Sequence, residues 1–280
     1  MNKNIDENVV EDFGHEWSNF NQDPVPEHEI EDLFKRYFSI FPDEVLSNKS
    51  IGFDLGCGSG RWAKIIAPKV GGLHCIDPSE LALKTAKMKL TGFDNCQFHQ
   101  SSVDSIPLED DSMDFGYSLG VLHHVPDTES GILHCADKLK PGAPFLLYLY
   151  YAFDNRPYWY RLIWKLSNVI RLAISRLAFP LKKMTSLFIA LLIYFPLARV
   201  AYILEKLGVN VRNIPLSEYR SLSFYTMRTD ALDRFGTRLE KRFTKQQITQ
   251  MLWRSGLENI KFSSESPYWC VISYKKKSIN

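Results

Sequence analysis

The chain has 280 residues, 45% hydrophobic and 24% charged, with 34 basic against 32 acidic side chains and a formal net charge of +2. That is ordinary for a globular protein with one large core and room for a subdomain, and it carries no global nucleic-acid signal. Five cysteines, at 57, 75, 96, 135 and 270, form no C-x-x-C pair, which indicates neither a zinc site nor a disulfide framework and leaves reduced cytosolic thiols as the plain reading. The even balance hides a division. Residues 1–50 carry 12 acidic and 4 basic side chains, whereas residues 155–215 carry ten basic ones against the single acid Glu205.

In chain order, the polar and acidic start is no signal peptide, and residues 1–12 are expected to fray. His15 to Phe20 holds Trp17 and Phe20 as a small docking cluster. Pro24 and Pro26 mark a turn. Ile30, Leu33, Phe34, Tyr37 and Phe38 then fall at helical spacing, until Phe41-Pro42 stops the helix. Ile51–Leu55 reads as a buried strand followed by Gly56, Gly58 and Gly60, with a helix from about Arg61. A second strand ends at Asp77, about 20 residues after the turn, a separation that suits a ribose diol. The glycine spacing is G-x-G-x-G, not the G-x-G-x-x-G of a dinucleotide site, and Asp54 precedes the turn. A carboxylate there repels pyrophosphate and suits an ammonium or sulfonium ligand. No lysine of the P-loop kind follows, which disfavours a nucleoside triphosphate.

Further strands are expected near 94–99, 112–119, 144–150, 259–264 and 268–275, with helices near 60–68, 79–90, 128–139 and 244–255. Alternation of strand and helix over 50–150 predicts a parallel sheet covered on both faces. Ser79 and Thr244 read as helix N-caps, and Gly256 as a helix end. The seven histidines show no H-x-x-x-H spacing, and Asp110, Asp111 and Asp114 read as a solvated turn, so no metal is expected.

Between 148 and 160 aromatics crowd together. Trp159, Leu162, Ile163, Leu166, Ile170, Ile174 and Leu177 continue as the apolar stripe of an amphipathic helix that ends near Pro180. The run Leu187–Ala198, interrupted by Pro196, has 12 residues, short of the roughly 20 that span a bilayer, and is expected to be buried in a cap. Arg171, Arg176, Lys182 and Lys183 are expected outside the core domain. Residues 211–240 read as a charged return path from cap to core.

Asp54-Leu-Gly-Cys-Gly-Ser-Gly60 resembles the first motif of class I S-adenosylmethionine (SAM) methyltransferases. Ile76-Asp-Pro-Ser79 resembles their ribose motif, Ser102-Val-Asp-Ser-Ile-Pro107 their adenine loop, and Tyr117 to Asp127 the segment after strand four. Within that class the chain looks most like the small-molecule enzymes that include the quinone-biosynthesis methylases. The resemblance covers 50–150 and 244–275 but not 155–225. It implies an α/β, Rossmann-like class I methyltransferase fold, with a mostly parallel seven-stranded sheet and an inserted helical cap. The expected divisions are 1–49, an N-terminal helical segment; 50–154, the SAM-binding core; 155–225, the cap; and 226–280, the return to the core with the last helix and a terminal hairpin.

The resemblance implies SAM as cofactor, held by Asp54, Gly56, Gly58, Asp77, Pro78, Ser102, Val103, Asp104 and Leu119, with Trp17 on a flap over it. Ser102 stands where the pattern often has Asp, which leaves the adenine-side acceptor between Ser102 and Asp104. His123 is expected as a base, with Tyr150 or Asp233 as other candidates; His124 is expected to pack or cap. The expected reaction is methyl transfer to an O, N or C atom of an apolar or bulky small molecule. An RNA methyltransferase and a membrane-surface enzyme acting on a lipid-linked substrate stand as alternatives, and so does a non-catalytic binding protein. Nucleic acid is disfavoured, the location is expected to be cytoplasmic with peripheral membrane contact through the cap as a second expectation, and the oligomeric state is left open.

Overall fold

A computed structural model describes residues 3–277. By packing, the chain divides into two units: the chain through Asn21 with Phe34–Tyr151 and the chain from Leu239; and Gln22–Leu33 with Ala152–Arg238.

The first unit is built on a seven-stranded sheet. Its strands are β1 (Ile51–Leu55), β2 (Gly72–Asp77), β3 (Cys96–Gln100), β4 (Phe115–Leu119), β5 (Pro144–Tyr148), β6 (Leu257–Phe262) and β7 (Cys270–Lys275). Their order is β3-β2-β1-β4-β5-β7-β6, and only β7 runs against its neighbours. The mostly parallel sheet and the closing antiparallel hairpin agree with the expected class. Strand order reverses between β1 and β4, so the loops leaving their carboxyl ends part there and open a crevice.

Helices α1 (Glu7–Asn19), α3 (Ala63–Ile66), α4 (Glu80–Lys89), α5 (Thr128–Lys138) and α10 (Lys245–Arg254) belong to this unit, and α2 (Glu27–Tyr37) contributes its carboxyl half. Their starts follow local chemistry. Ser79 accepts from Ala82 N, Asp127 from Ser130 N, and Thr244 forms a reciprocal capping box with Gln247. Phe53, Ile76, Leu122, Phe145 and Leu252 anchor the core. The acidic run before β4 is tied down by lysines: Asp110 to Lys138 at 2.6 Å, Asp111 to Lys275 at 2.8 Å and Asp114 to Lys140 at 2.6 Å.

The fraying expected for residues 1–12 does not occur over the described part. Asp6 caps α1 by accepting from Asn8 N and Val9 N, and Val9 is buried. Asn4 is held from far away in sequence. Its side chain donates to Asp127 O and accepts from Asp127 N, both at 2.7 Å.

The second unit is helical: α6 (Tyr158–Ile174), α7 (Phe179–Ile189), α8 (Phe195–Lys206) and α9 (Phe224–Gly236). A π-turn, Ala190–Tyr194, joins α7 to α8, so Phe179–Lys206 is one 28-residue helix. Pro196 does not end it: it falls in the first turn after the π-turn, where the helical hydrogen-bond register changes. The unit's core is small, with Ala190, Tyr194 and Ala198 of the long helix against Met227, Ala231 and Phe235 of α9. The return path therefore contains a helix, α9. Ser223 caps it, and the Glu29 carboxylate accepts from Ser223 N at 2.8 Å and from the Thr226 hydroxyl at 2.5 Å.

One expectation about this insertion reverses. The long helix is not buried, since only 22% of its most apolar stretch is covered. Arg171 and Lys182 lie in the second unit, outside the sheet-bearing one, yet are buried within it, at 4% and 1% exposure. Arg171 donates to Asn168 Oδ1 at 2.7 Å, Thr237 O at 2.7 Å and Arg238 O at 3.2 Å.

Candidate active site

The glycine turn after β1 is pinned to the end of β2, because Gly56 N and Cys57 N both donate to Ile76 O, at 2.7 and 3.1 Å. Gly56 has φ +75° and Gly58 φ +53°, a region costly for other residues. Space is equally tight: a Cβ on Gly56 would meet Val121 at 2.3 Å, and one on Gly58 would meet the Trp17 indole at 3.0 Å.

Asp77 closes the turn from the other side. Its Oδ2 accepts from Gly58 N at 3.0 Å and its Oδ1 from Ser79 N at 2.9 Å. Burial lifts its pKa to about 6, against the pull of those two N–H groups. Each oxygen keeps a further lone pair for a hydroxyl. Asp54 lies deeper, 2% exposed, and faces Tyr117 across the β1–β4 pairing. Burial raises its pKa to about 8, the dipole of the adjacent Tyr117 hydroxyl, which forms no hydrogen bond of good geometry, easing the rise and the charge of Asp77 adding to it. Its Oδ2 is buried without a hydrogen bond, as is the Tyr117 hydroxyl.

The crevice above is a cavity walled on one side by Gly56, Asp77, Pro78, Ser102, Val103 and Leu119, and on the other by α1 through Val9, Val10, Phe13 and Trp17. The loop after β3 is braced on the chain's beginning: Asp104 Oδ1 accepts from the Ser102 hydroxyl at 2.5 Å and its Oδ2 from Asn4 N at 3.1 Å. Asp104 is therefore engaged with protein groups, and Ser102 and Val103 present themselves to the cavity.

Residues 53–147 match a family model described as a methyltransferase domain. A ubiquinone biosynthesis O-methyltransferase of Nitrosospira multiformis is 31% identical over 158 residues, 55% of this chain and 63% of that protein. Its counterpart from Nitrosomonas europaea is 33% identical over 147 residues, 50% of this chain and 60% of that protein. The core is a class I S-adenosylmethionine-dependent methyltransferase domain. The match spans about three-fifths of those curated relatives, 63% and 60%. The fold extends further: a chain from the complex between the Haloferax volcanii Trm112 methyltransferase activator and a methyltransferase superposes with TM-score 0.50 at 13% identity, covering 94% of this chain and 97% of that one.

The methyltransferase domain's residues fit its cofactor. Asp54 offers a buried, unmatched acceptor oxygen where a cationic group would restore its ionised form. Asp77 keeps one lone pair on each oxygen for a hydroxyl donor, and Gly58 is packed so closely under the Trp17 indole that a Cβ would press on it. Gly56 and Asp77, on the cavity wall, would hold the methionine and ribose parts, with Asp54 and Gly58 behind the turn and off the wall. Ser102, Val103 and Leu119 would line the base.

The expected base residues are placed differently from one another. His123 is fully buried and is not on the cavity wall; its ring stacks on Tyr150 with centroids 3.8 Å apart, and neither ring nitrogen makes a hydrogen bond. Burial first, then His124 and Arg242, push its pKa well below the usual value, so it is neutral at physiological pH. Tyr150 lies under the Arg242 guanidinium, 4.9 Å from the ring centroid. Asp233 belongs to α9, in the other unit. His124, expected only to pack or cap, stands on the cavity wall, and its Nδ1 is 2.6 Å from Leu239 O.

Asn4, Val9, Phe13, Gly120, Val121 and His124 also shape this cavity and were not among the expected site residues. For α1 a signal existed: Asp6 is a good N-cap, and Val10, Phe13 and Trp17 recur at helical spacing. For Asn4 there was none, because its partners lie about a hundred residues away.

Proposed function

We propose that this chain transfers a methyl group from S-adenosylmethionine to a hydroxyl oxygen of a small organic metabolite. The observation that carries it is one wall on which Asp77, the glycine turn and His124 meet in a single cavity. The names of the relatives, O-methyltransferases of ubiquinone biosynthesis, support the oxygen acceptor.

When bound, S-adenosylmethionine supplies an electrophilic methyl group. Asp77 orients the ligand through hydroxyl hydrogen bonds, and Asp54 compensates positive charge from beneath the turn. Val9, Phe13 and Trp17 exclude water, which strengthens both interactions. His124 moves the proton. Because a carbonyl can only accept, Leu239 O places hydrogen on Nδ1 and makes Nε2 the basic nitrogen. His123 and Tyr150 set the ring position of their neighbour: the His123 and His124 centroids are 4.0 Å apart.

The test is transfer of labelled methyl by the purified full chain to phenols and catechols, with matched amines and total RNA as parallel acceptors. Label on the hydroxyl acceptors, lost in Asp77→Ala, is expected. Label on RNA or amines alone, or none on any acceptor, would sink the proposal.

A further inference from the structure

The helical insertion has its polarity reversed. On α6 the charged Arg171 is 4% exposed while Leu166, Val169 and Ile170 are 61%, 67% and 55% exposed. On the long helix Lys182 and Ser186 are each 1% exposed while Phe188, Leu192 and Ile203 are 53%, 68% and 57% exposed. In water, helices bury their apolar stripe and solvate the charged one. Here Arg171, Lys182 and Ser186 are turned inward beside a small apolar core, and large apolar side chains cover the outside of both helices. An apolar surface of that extent marks contact with a partner.

Charge identifies the partner. Exposed Arg161, Lys165 and Arg176 border the apolar face. The one acid between 155 and 215, Glu205, is already paired with Arg220 at 2.8 Å. Trp159 and Tyr158 stand at the start of α6, exposed, as amphipathic rings do at a headgroup layer. Apolar side chains ringed by cations match an anionic lipid surface. A nucleic-acid backbone offers nothing to Leu and Ile.

We propose that the outward faces of α6 and of the Phe179–Lys206 helix seat in the surface layer of an anionic phospholipid bilayer. They lie in the plane of the membrane and do not cross it. The long helix, 28 residues with a largely apolar middle, has the length of a spanning segment. Its other side, however, is already covered by α9 through Met227, Ala231 and Phe235, and α9 also carries Arg228, Asp230, Asp233 and Arg234, which disfavour burial of the helix pair in hydrocarbon. Arg199 lies within α8 and donates to Arg220 O at 3.0 Å. Lipid contact on one flank only is the geometry of an interfacial helix pair. A lipid anchor of this kind would hold the methyltransferase domain, through its own chain, at a membrane.

The experiment is co-flotation of the full chain with phosphatidylglycerol–phosphatidylcholine vesicles and with phosphatidylcholine vesicles, and it reads no methyl transfer, so it stands apart from the assigned reaction. Wild type should float with the anionic vesicles, more strongly at low salt. Leu166→Gln, Val169→Gln, Leu192→Gln and Ile203→Gln together should abolish flotation while preserving the thermal transition, since all four side chains are exposed. Arg161→Gln, Lys165→Gln and Arg176→Gln together should weaken partitioning about 100-fold, from the worth of each cation at an anionic surface. Wild type that stays unbound, or a quadruple variant that floats as well as wild type, overturns the proposal. So does a lipid-free dimer dissociated by the four glutamines with no flotation, because a second copy then covers the face. RNA retention that vesicles do not displace overturns it as well.

Discussion

Asp54→Asn should make the ligand-free protein more stable and its cofactor site worse. The wild-type carboxyl has a folded pKa of about 8 against 3.8 in an ordinary setting. Because the folded pKa is raised, folding is unaffected by this group below about pH 4 and is progressively penalised as pH rises to about 8. At pH 7 the penalty is of order 4 kcal/mol, from roughly 3 pH units at 1.36 kcal/mol each. Asparagine escapes it but brings a buried amide without assured partners, costing about 1–3 kcal/mol. The variant should therefore be more stable than wild type at pH 7, by roughly 1–3 kcal/mol, and less stable near pH 4, with curves crossing between about pH 5 and 6. Denaturant titrations of both proteins across that range read it directly. Calorimetry with S-adenosylmethionine at pH 8 should show weaker binding in the variant, because the compensating charge is gone. A stability gap independent of pH, or unchanged affinity, would refute the picture of Asp54 as a stranded carboxylate awaiting a cation.

Three further outcomes follow from the geometry. Asp77→Ala should weaken S-adenosylmethionine binding by about 1–3 kcal/mol in calorimetry, through lost acceptors for two hydroxyls and for Gly58 N. His124→Ala should lower turnover by roughly 10²–10⁴, whereas His123→Phe, which keeps the stack on Tyr150, should cost far less. Arg171→Ala should destabilise the insertion by roughly 3 kcal/mol, since Thr237 O is left buried without its donor, whereas Arg176→Ala should change little; denaturant melts of the two variants compare them.

Much of the first unit was legible because its signals are local. The glycine turn, Asp77 at a strand end, the N-caps Ser79 and Thr244 and the alternation of strand with helix each occupy a few adjacent residues. Strand positions came within a few residues for the same reason. Even Asp6 and the 10-13-17 spacing of α1 were present in the sequence, although position at a chain terminus suggested fraying.

What only the tertiary structure decided depends on partners distant in the chain. Asn4 finds Asp104 and Asp127, which turns the beginning of the chain into a cavity wall. Of two adjacent histidines, a short 3-10 turn and the carbonyl of Leu239 determine that His124 reaches the cavity and His123 does not. The insertion makes the point most clearly. Periodicity in α6 states that two faces differ, one apolar and one charged, but it carries no sign for inside and outside. Arg171 turned inward because Asn168, Thr237 and Arg238 satisfy it there, and Leu166 and Val169 turned outward with it. A helix declares its stripe by itself; which medium the stripe meets is determined by everything packed against the other side.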